Sequence, residues 1–206
     1  MLTFFSAIPS LRRPRGGLPI KGTIQYHPGA TPGGTPPEVS LVEAARAGDR
    51  AAWGELYVRY ARMVHGILLA RVPAADADDL TQDVFVRAMK ALVQLRDSAA
   101  FGGWLASMAR NSAHDYHRKA HVAEDPVPAE VPAPGDVRSS VEAAAALQAI
   151  RDLPEAYRET LMLRLVEGMT GPEIARRTGL TADSVRVNLH RGMKLLKERL
   201  ERGATP

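Results

Sequence analysis

The chain has 206 residues, 45% of them apolar and 24% charged, with a net charge of +4; that is enough apolar material for one large core or two small ones. It contains no cysteine, which excludes disulfide frameworks, thiolate zinc sites and cysteine nucleophiles and fits a reducing cytoplasm. No uninterrupted apolar run approaches the ~18 residues of a membrane span, and the apolar stretch at 4–8 is too short for a secretory core, so a soluble, cytoplasmic protein that is not membrane-inserted is expected.

Charge is unevenly spread. Residues 1–37 carry +4 and residues 38–80 carry −2; the stretch 81–120 carries +3, 121–169 carries −5 and 170–206 carries +4. Two basic segments of the helical part, with an acidic one between them, are compatible with two surfaces that face a polyanion, or with ordinary solvated helix faces.

In chain order, residues 1–38 read as a flexible arm, with seven prolines and six glycines among the first 37 and little apolar periodicity. From 39 to 119 the pattern is helical: Leu80, Val84, Ala88 and Leu92 recur at i+4, and Pro73 is the internal breaker. Residues 120–138, with Pro126, Pro128, Pro132 and Pro134, read as an extended linker. A second helical unit spans 139–202, followed by a tail at 203–206. Its first helix stops at Leu153-Pro154, where the proline suits the start of the next, and that helix ends near Gly168. The predicted fold class is all-α, two small helical domains joined by a flexible Pro/Ala-rich linker.

Within the second unit, Thr170-Gly171-Pro172-Glu173 has the form of a capping box, Gly179 offers a left-handed stop, and Thr181 can cap a further helix from Ala182. The spacing predicts a helix-turn-helix. In its second helix Val185, Leu189 and Leu196 take the inner side, and Arg186, Val187, Asn188, His190, Arg191 and Lys194 lie opposite or along the flank. That composition suits a DNA major groove: arginine can bind guanine edges, asparagine adenine, and valine a thymine methyl. Arg176 and Arg177, with Lys194 and Lys197, suit phosphates. A basic helical hairpin with no nucleic-acid role is the bland alternative.

The run Leu153-Pro154-Glu155-Ala156-Tyr157-Arg158, then Glu173-Ile174-Ala175, then residues 181–191, resembles region four of the RNA polymerase sigma factors. The string Asp78-Asp79-Leu80-Thr81-Gln82-Asp83-Val84-Phe85-Val86-Arg87-Ala88 resembles sigma region two. With no intervening domain, the chain is similar to the extracytoplasmic-function (ECF) group of the sigma-70 family. The resemblance implies binding to RNA polymerase core, at the clamp coiled coil of its largest subunit through Asp79, Leu80, Gln82, Asp83, Phe85 and Arg87, and at its flap through the second domain. It implies capture of the minus-ten promoter strand by Arg96, Phe101, Arg110, Asn111, His114, Asp115, Arg118 and Lys119, with Phe101 and Asn111 the leading candidates for a flipped base, since unstacked bases need aromatic, amide and cationic partners. It implies reading of the minus-thirty-five element by Arg176, Arg177, Arg186, Val187, Asn188, His190, Arg191 and Lys194. Val187 and Asn188 depart from the serine and arginine frequent in the family, which bears on the promoter sequence more than on activity.

Trp104 reads as a core residue on Leu105 and Met108. The His114, Asp115 and His117 group lacks the spacing of a zinc-protease site and has cationic neighbours in Arg118 and Lys119, so no metal is expected. The expected protein is not an enzyme, uses no cofactor and takes no small-molecule substrate; its partners are polymerase core, promoter DNA and a cognate anti-sigma factor. Two other readings stay open on the residues alone: a stand-alone helix-turn-helix regulator that needs no polymerase, and a metal-dependent nucleic-acid enzyme built on His114 and His117, against which the missing convergent carboxylates count.

Overall fold

The computed structural model describes residues 37–122 and 137–203. The arm expected at 1–38, all but its last two residues, and the prolines of the expected linker lie outside the described residues. The first unit holds α1 (Pro37–Arg46), α2 (Arg50–Leu69), α3 (Ala74–Ala91) and α4 (Phe101–Val122); the second holds α5 (Val137–Arg151), α6 (Glu155–Leu165), α7 (Gly171–Thr178) and α8 (Ala182–Gly203). Among the described residues every element is helical. The helical pattern begins at Pro37 and α4 runs to Val122, slightly beyond the expected limits of 39 and 119.

Local chemistry sets the boundaries. Asp49 caps α2 by accepting from the Ala51 and Ala52 amides, and Gly48, at φ +96°, turns the chain between α1 and α2. Pro73 separates α2 from α3. Two short 3₁₀ turns, Leu92–Gln94 and Ser98–Ala100, carry the chain from α3 to α4. Arg46 holds that crossing by donating to the Leu95 carbonyl (2.6 Å) and to Ser98 Oγ (3.0 Å).

Helix α2 is the spine of the first unit: Leu56, Tyr60, Met63, Val64, Ile67 and Leu68 are almost completely buried, against Val84, Phe85 and Ala88 of α3 and Phe101 and Leu105 of α4. Each such side chain contributes about 1.5–3 kcal/mol relative to exposure. In the second unit α6 crosses α8 so closely that a Cβ on Gly192 would lie 2.9 Å from Leu161 Cδ1 and 3.0 Å from Tyr157 Cβ. Ile174 of α7 and Val185 and Leu196 of α8 complete that core.

The two units, read from sequence as modules on slack peptide, are packed against each other. Their buried apolar residues form one continuous cluster. A Cβ on Gly66 of α2 would sit 2.7 Å from Leu163 Cδ2 of α6, and one on Gly102 of α4 would sit 2.6 Å from the Arg177 carbonyl oxygen of α7. Gly103 and Gly179 meet backbone to backbone, a Cβ on Gly179 falling 3.4 Å from Gly103 Cα. Gly66 lies in the last turn of α2, where glycine is a poor helix former; the close approach of α6 is what it permits.

Candidate nucleic-acid interface

The helix-turn-helix forms as its capping residues dictate. Thr170 Oγ1 accepts from the Glu173 amide while Glu173 accepts from the Thr170 amide at 2.9 Å, and the charge-assisted bonds from Thr170 hold the Glu173 carboxyl below the usual carboxylate range. Gly179 ends α7 in the left-handed region at φ +76°. Thr181 Oγ1 accepts from the Ser184 amide at 3.1 Å, so α8 starts at Ala182. Val185 and Leu196 point inward, and Leu189 is half-buried against the core.

On the outer side of α8, Arg186, Val187, His190, Arg191 and Lys194 are exposed and Asn188 is half-buried. Arg186 pairs with Asp183 of its own helix, at 3.1 Å. Arg176 is exposed; Arg177 is half-buried, with Glu173 at 3.7 Å. On α8 the assigned Arg186, Val187, His190, Arg191 and Lys194 lie on the exposed side with Asn188 at its edge, and Arg177 of α7 also supports the seam with α4 through its carbonyl.

Helix α4 carries the second basic group. Asn111, His114 and Arg118 fall one turn apart and are exposed, with Lys119 beside them. Asp115 is occupied by Arg118 at 3.0 Å, and His117 Nε2 lies 2.8 Å from the Arg71 carbonyl oxygen. Arg96 is exposed between the two 3₁₀ turns. Two members of the group sit otherwise than expected. Phe101 is completely buried, its ring 5.1 Å from Tyr60 and 5.9 Å from Trp104; it is a core residue with no face open to a base, which corrects its assignment. Arg110 is half-buried against the second unit, with 31% of its side chain exposed.

The Arg110 guanidinium grips Glu159 of α6 with Nε at 3.0 Å from Oε2 and Nη2 at 2.7 Å from Oε1, and Arg71 Nη2 approaches Oε2 from the other side at 2.7 Å. Glu159 is 5% exposed. Burial is the largest influence on it and opposes its charge, yet the bonds and charges of Arg110 and Arg71 together hold its carboxyl below the usual range, while Glu159 raises Arg110. Eight residues on, just past the end of α6, Glu167 accepts from His65 Nδ1 (2.6 Å), a bond that raises His65, with Arg62 at 3.7 Å. Glu155 meets Arg71 at 3.3 Å. A cleft between the units is lined by Arg71, Arg110, Glu159, Asp183, Val187 and Asn188, so residues assigned to different promoter elements face one another across it.

On α3, Asp79, Gln82, Asp83 and Arg87 are exposed and Leu80 is half-buried. Arg87 Nη2 donates to Ser112 Oγ of α4 at 2.6 Å. Phe85 is 3% exposed and packs against Tyr57 with ring centroids 4.6 Å apart and the planes tilted by 58°; it supports this face from inside and does not present its ring, a second correction. Sequence reasoning missed the apolar residues beside that polar string: Tyr57, Val86 and Met89 are 40%, 47% and 51% exposed. Their signal was the i, i+3 spacing of Val86 and Met89 off the buried stripe.

The family model for Sigma-70 region 2 matches residues 56–122 and that for Sigma-70, region 4 matches residues 143–196. The chain is 31% identical over 171 residues to the ECF RNA polymerase sigma factor BldN of Streptomyces coelicolor, covering 77% of this chain and 64% of that protein. It is 28% identical over 177 residues to the ECF RNA polymerase sigma-E factor of Escherichia coli, covering 78% of this chain and 93% of that protein. Among solved structures it is similar to CnrH, solved in complex with the cytosolic domain of CnrY, at a TM-score of 0.57 and 25% identity over 80% of this chain and 97% of that one. With both regions matched in order, and in the compact arrangement that lacks a domain between them, the chain belongs to the sigma-70 family of RNA polymerase sigma factors, in its ECF group.

Proposed function

We propose that this chain binds RNA polymerase core enzyme and directs it to promoters, opening DNA at the minus-ten element and reading the minus-thirty-five element. The observation that carries the reading is the capped helix-turn-helix with an outward face of Arg186, Val187, Asn188, His190, Arg191 and Lys194, in one chain with the exposed polar string of α3. Arg186 and Asn188 read base edges, and Arg176, Arg177, Arg191 and Lys194 hold phosphates. Arg96, Asn111, His114, Arg118 and Lys119 receive the separated strand, joined by Arg110 once it leaves Glu159. Asp79, Gln82, Asp83 and Arg87, with Leu80 and the neighbouring Val86 and Met89, dock the clamp coiled coil.

The chain supplies binding free energy and the polymerase supplies the chemistry, so no catalytic group is assigned. Among the described residues no helix is long and apolar enough to cross a membrane, which supports a cytoplasmic site of action. The CnrH structure, in which CnrY is bound, supports a cognate anti-sigma factor for this chain. Run-off transcription with purified core enzyme on genomic fragments tests the function: discrete transcripts that depend on the added chain are expected. Tight duplex binding without core, and no transcripts with it, would mean a stand-alone regulator instead.

A further inference from the structure

We propose that Arg87 and Ser112 are positioning residues for strand opening: the hydrogen bond between them fixes the rotation of α4, so that the docked α3 presents Asn111 and His114 in register. The proposal rests on the assignment of α3 to polymerase and of α4 to the separated strand made above, and deepens it.

Helix α3 carries the docking string and α4 the strand-receiving stripe, so the placement of one relative to the other decides where the strand is met. Beyond Leu105 the inner side of α4 is built from small residues: Ala106, Ala109, Ser112 and Ala113 are each at most 2% exposed. Such a face lets neighbouring elements approach closely, but it has few knobs to lock a single rotation. A turn of about 30° would carry the tips of Asn111 and His114 by about 3 Å, given the ~5–6 Å radius of a helix with its side chains. A binding constellation tolerates about 0.5 Å.

Polar fastenings supply what the alanines lack. Arg87, the last residue of the docking string, donates through Nη2 to Ser112 Oγ at 2.6 Å, while its Nε lies 3.4 Å from the Asp83 carbonyl oxygen one turn back. One turn further along α4, the Tyr116 hydroxyl donates at 2.8 Å to Asp76 Oδ2 in the first turn of α3. His117 Nε2 meets the Arg71 carbonyl oxygen, also at 2.8 Å. These three anchors and the stripe of Asn111, His114 and Arg118 lie on different sides of α4.

Of the three bonds, the first joins both functions. Tyr116 and His117 hold on to residues outside the docking string, whereas Arg87 belongs to it and Ser112 is the chain neighbour of Asn111. Ser112 is buried, which holds its hydroxyl in one place, and Arg87 is exposed. A guanidinium has five donors, so Arg87 can keep Ser112 and take an acceptor of a partner at the same time. Fixing Arg87 on the polymerase therefore fixes α4 through the same side chain.

The full-length chain with purified core enzyme at saturating concentration, on a genomic fragment that yields chain-dependent transcripts, tests the tie. Opening is read as the permanganate reactivity of unpaired thymines, beside the core affinity and melting temperature of each variant. Ser112→Ala nearly preserves volume, favours a helix and frees Arg87 to meet water, so it is expected to fold and to bind core as the parent does. Its opening is expected to slow about fivefold, the scale of one lost hydrogen bond. In an Arg87→Ala background Ser112→Ala is expected to add nothing. Parent-like opening by Ser112→Ala overturns the proposal, and so does an equal loss in both backgrounds, which puts Ser112 on a path that omits Arg87. Melting temperature and core affinity that fall in step with opening make Ser112 a structural residue and overturn it as well. If no fragment gives chain-dependent transcripts, the assigned function fails and takes this inference with it, a result distinct from each of the others.

Discussion

Arg110 and Glu159, 49 positions apart, meet in a two-pronged ion pair with contacts of 3.0 and 2.7 Å. Because Glu159 also receives Arg71, removing its carboxylate strands two cations at once. Glu159→Ala is expected to weaken the packing of the two units by about 3 kcal/mol, the scale for breaking a buried pair from one side. Separation of the units lets both arginines reach water and limits the loss; because the buried apolar residues form one cluster, calorimetry is expected to show one unfolding transition for the parent chain and two for Glu159→Ala.

Phe101→Ala should act on the fold rather than on a base. A fully buried ring against Tyr60 and Trp104 is worth about 3–5 kcal/mol on truncation. Chemical denaturation is expected to show that loss, with promoter opening impaired only in proportion to the folded fraction.

For duplex reading, Arg186→Ala is expected to lower promoter-directed transcription about tenfold, within the range of one lost bidentate base contact, with core association intact. The double variant Gln82→Ala, Asp83→Ala should do the reverse, weakening core association in a pull-down with purified polymerase. Identical behaviour of the two would refute the division of labour.

The turn of the helix-turn-helix is sensitive to single atoms. Thr170→Ala removes the cap and should cost about 1 kcal/mol. Gly179→Ala forces a side chain into φ +76° and costs about 1–2 kcal/mol. Both appear as lowered melting temperature, and Gly179→Ala additionally crowds Gly103.

Packing of the units should also depend on pH, with opposite signs at the two ends of the seam. His65 is raised above 6.5 by its bond to Glu167, with Asp78 at 3.6 Å and Arg62 also near; its contribution is fully present below pH 6.5 and is lost as pH rises through the folded value. Glu159 is lowered from 4.5, so its contribution is present above that and is lost as pH falls through its folded value. Energy transfer between dyes on the two units is expected to peak on the mildly acidic side of neutrality, and His65→Asn should remove the decline toward alkaline pH.

Most of the fold was legible because its signals are local. The Thr170 and Glu173 box, the Gly179 stop and the Thr181 cap are short-range hydrogen-bonding and backbone preferences, and they act as the spacing predicts. The Leu80, Val84, Ala88 stripe predicts an inward face, and Val84 and Ala88 are fully buried, with Leu80 half-buried. What failed was side-chain destination. Phe101 and Trp104 both lie near the start of α4, and a family role for the segment does not say which ring faces inward; the packing of Tyr60 decides it. The partnership of Glu159 was invisible for a different reason: a glutamate in an acidic stretch reads as solvated, and only the tertiary arrangement brings Arg71 and Arg110 to it.

The glycine seam couples the state of one unit to that of the other, because the two approach at backbone distance. A ligand that engages only the separated units sees its intrinsic affinity reduced by the fraction of molecules already apart, and any two such ligands promote each other's binding by the same factor. The close approach of the units therefore hangs on two missing methyl groups, at Gly66 and Gly102, whereas a Cβ at Gly103 would find ordinary contact distances.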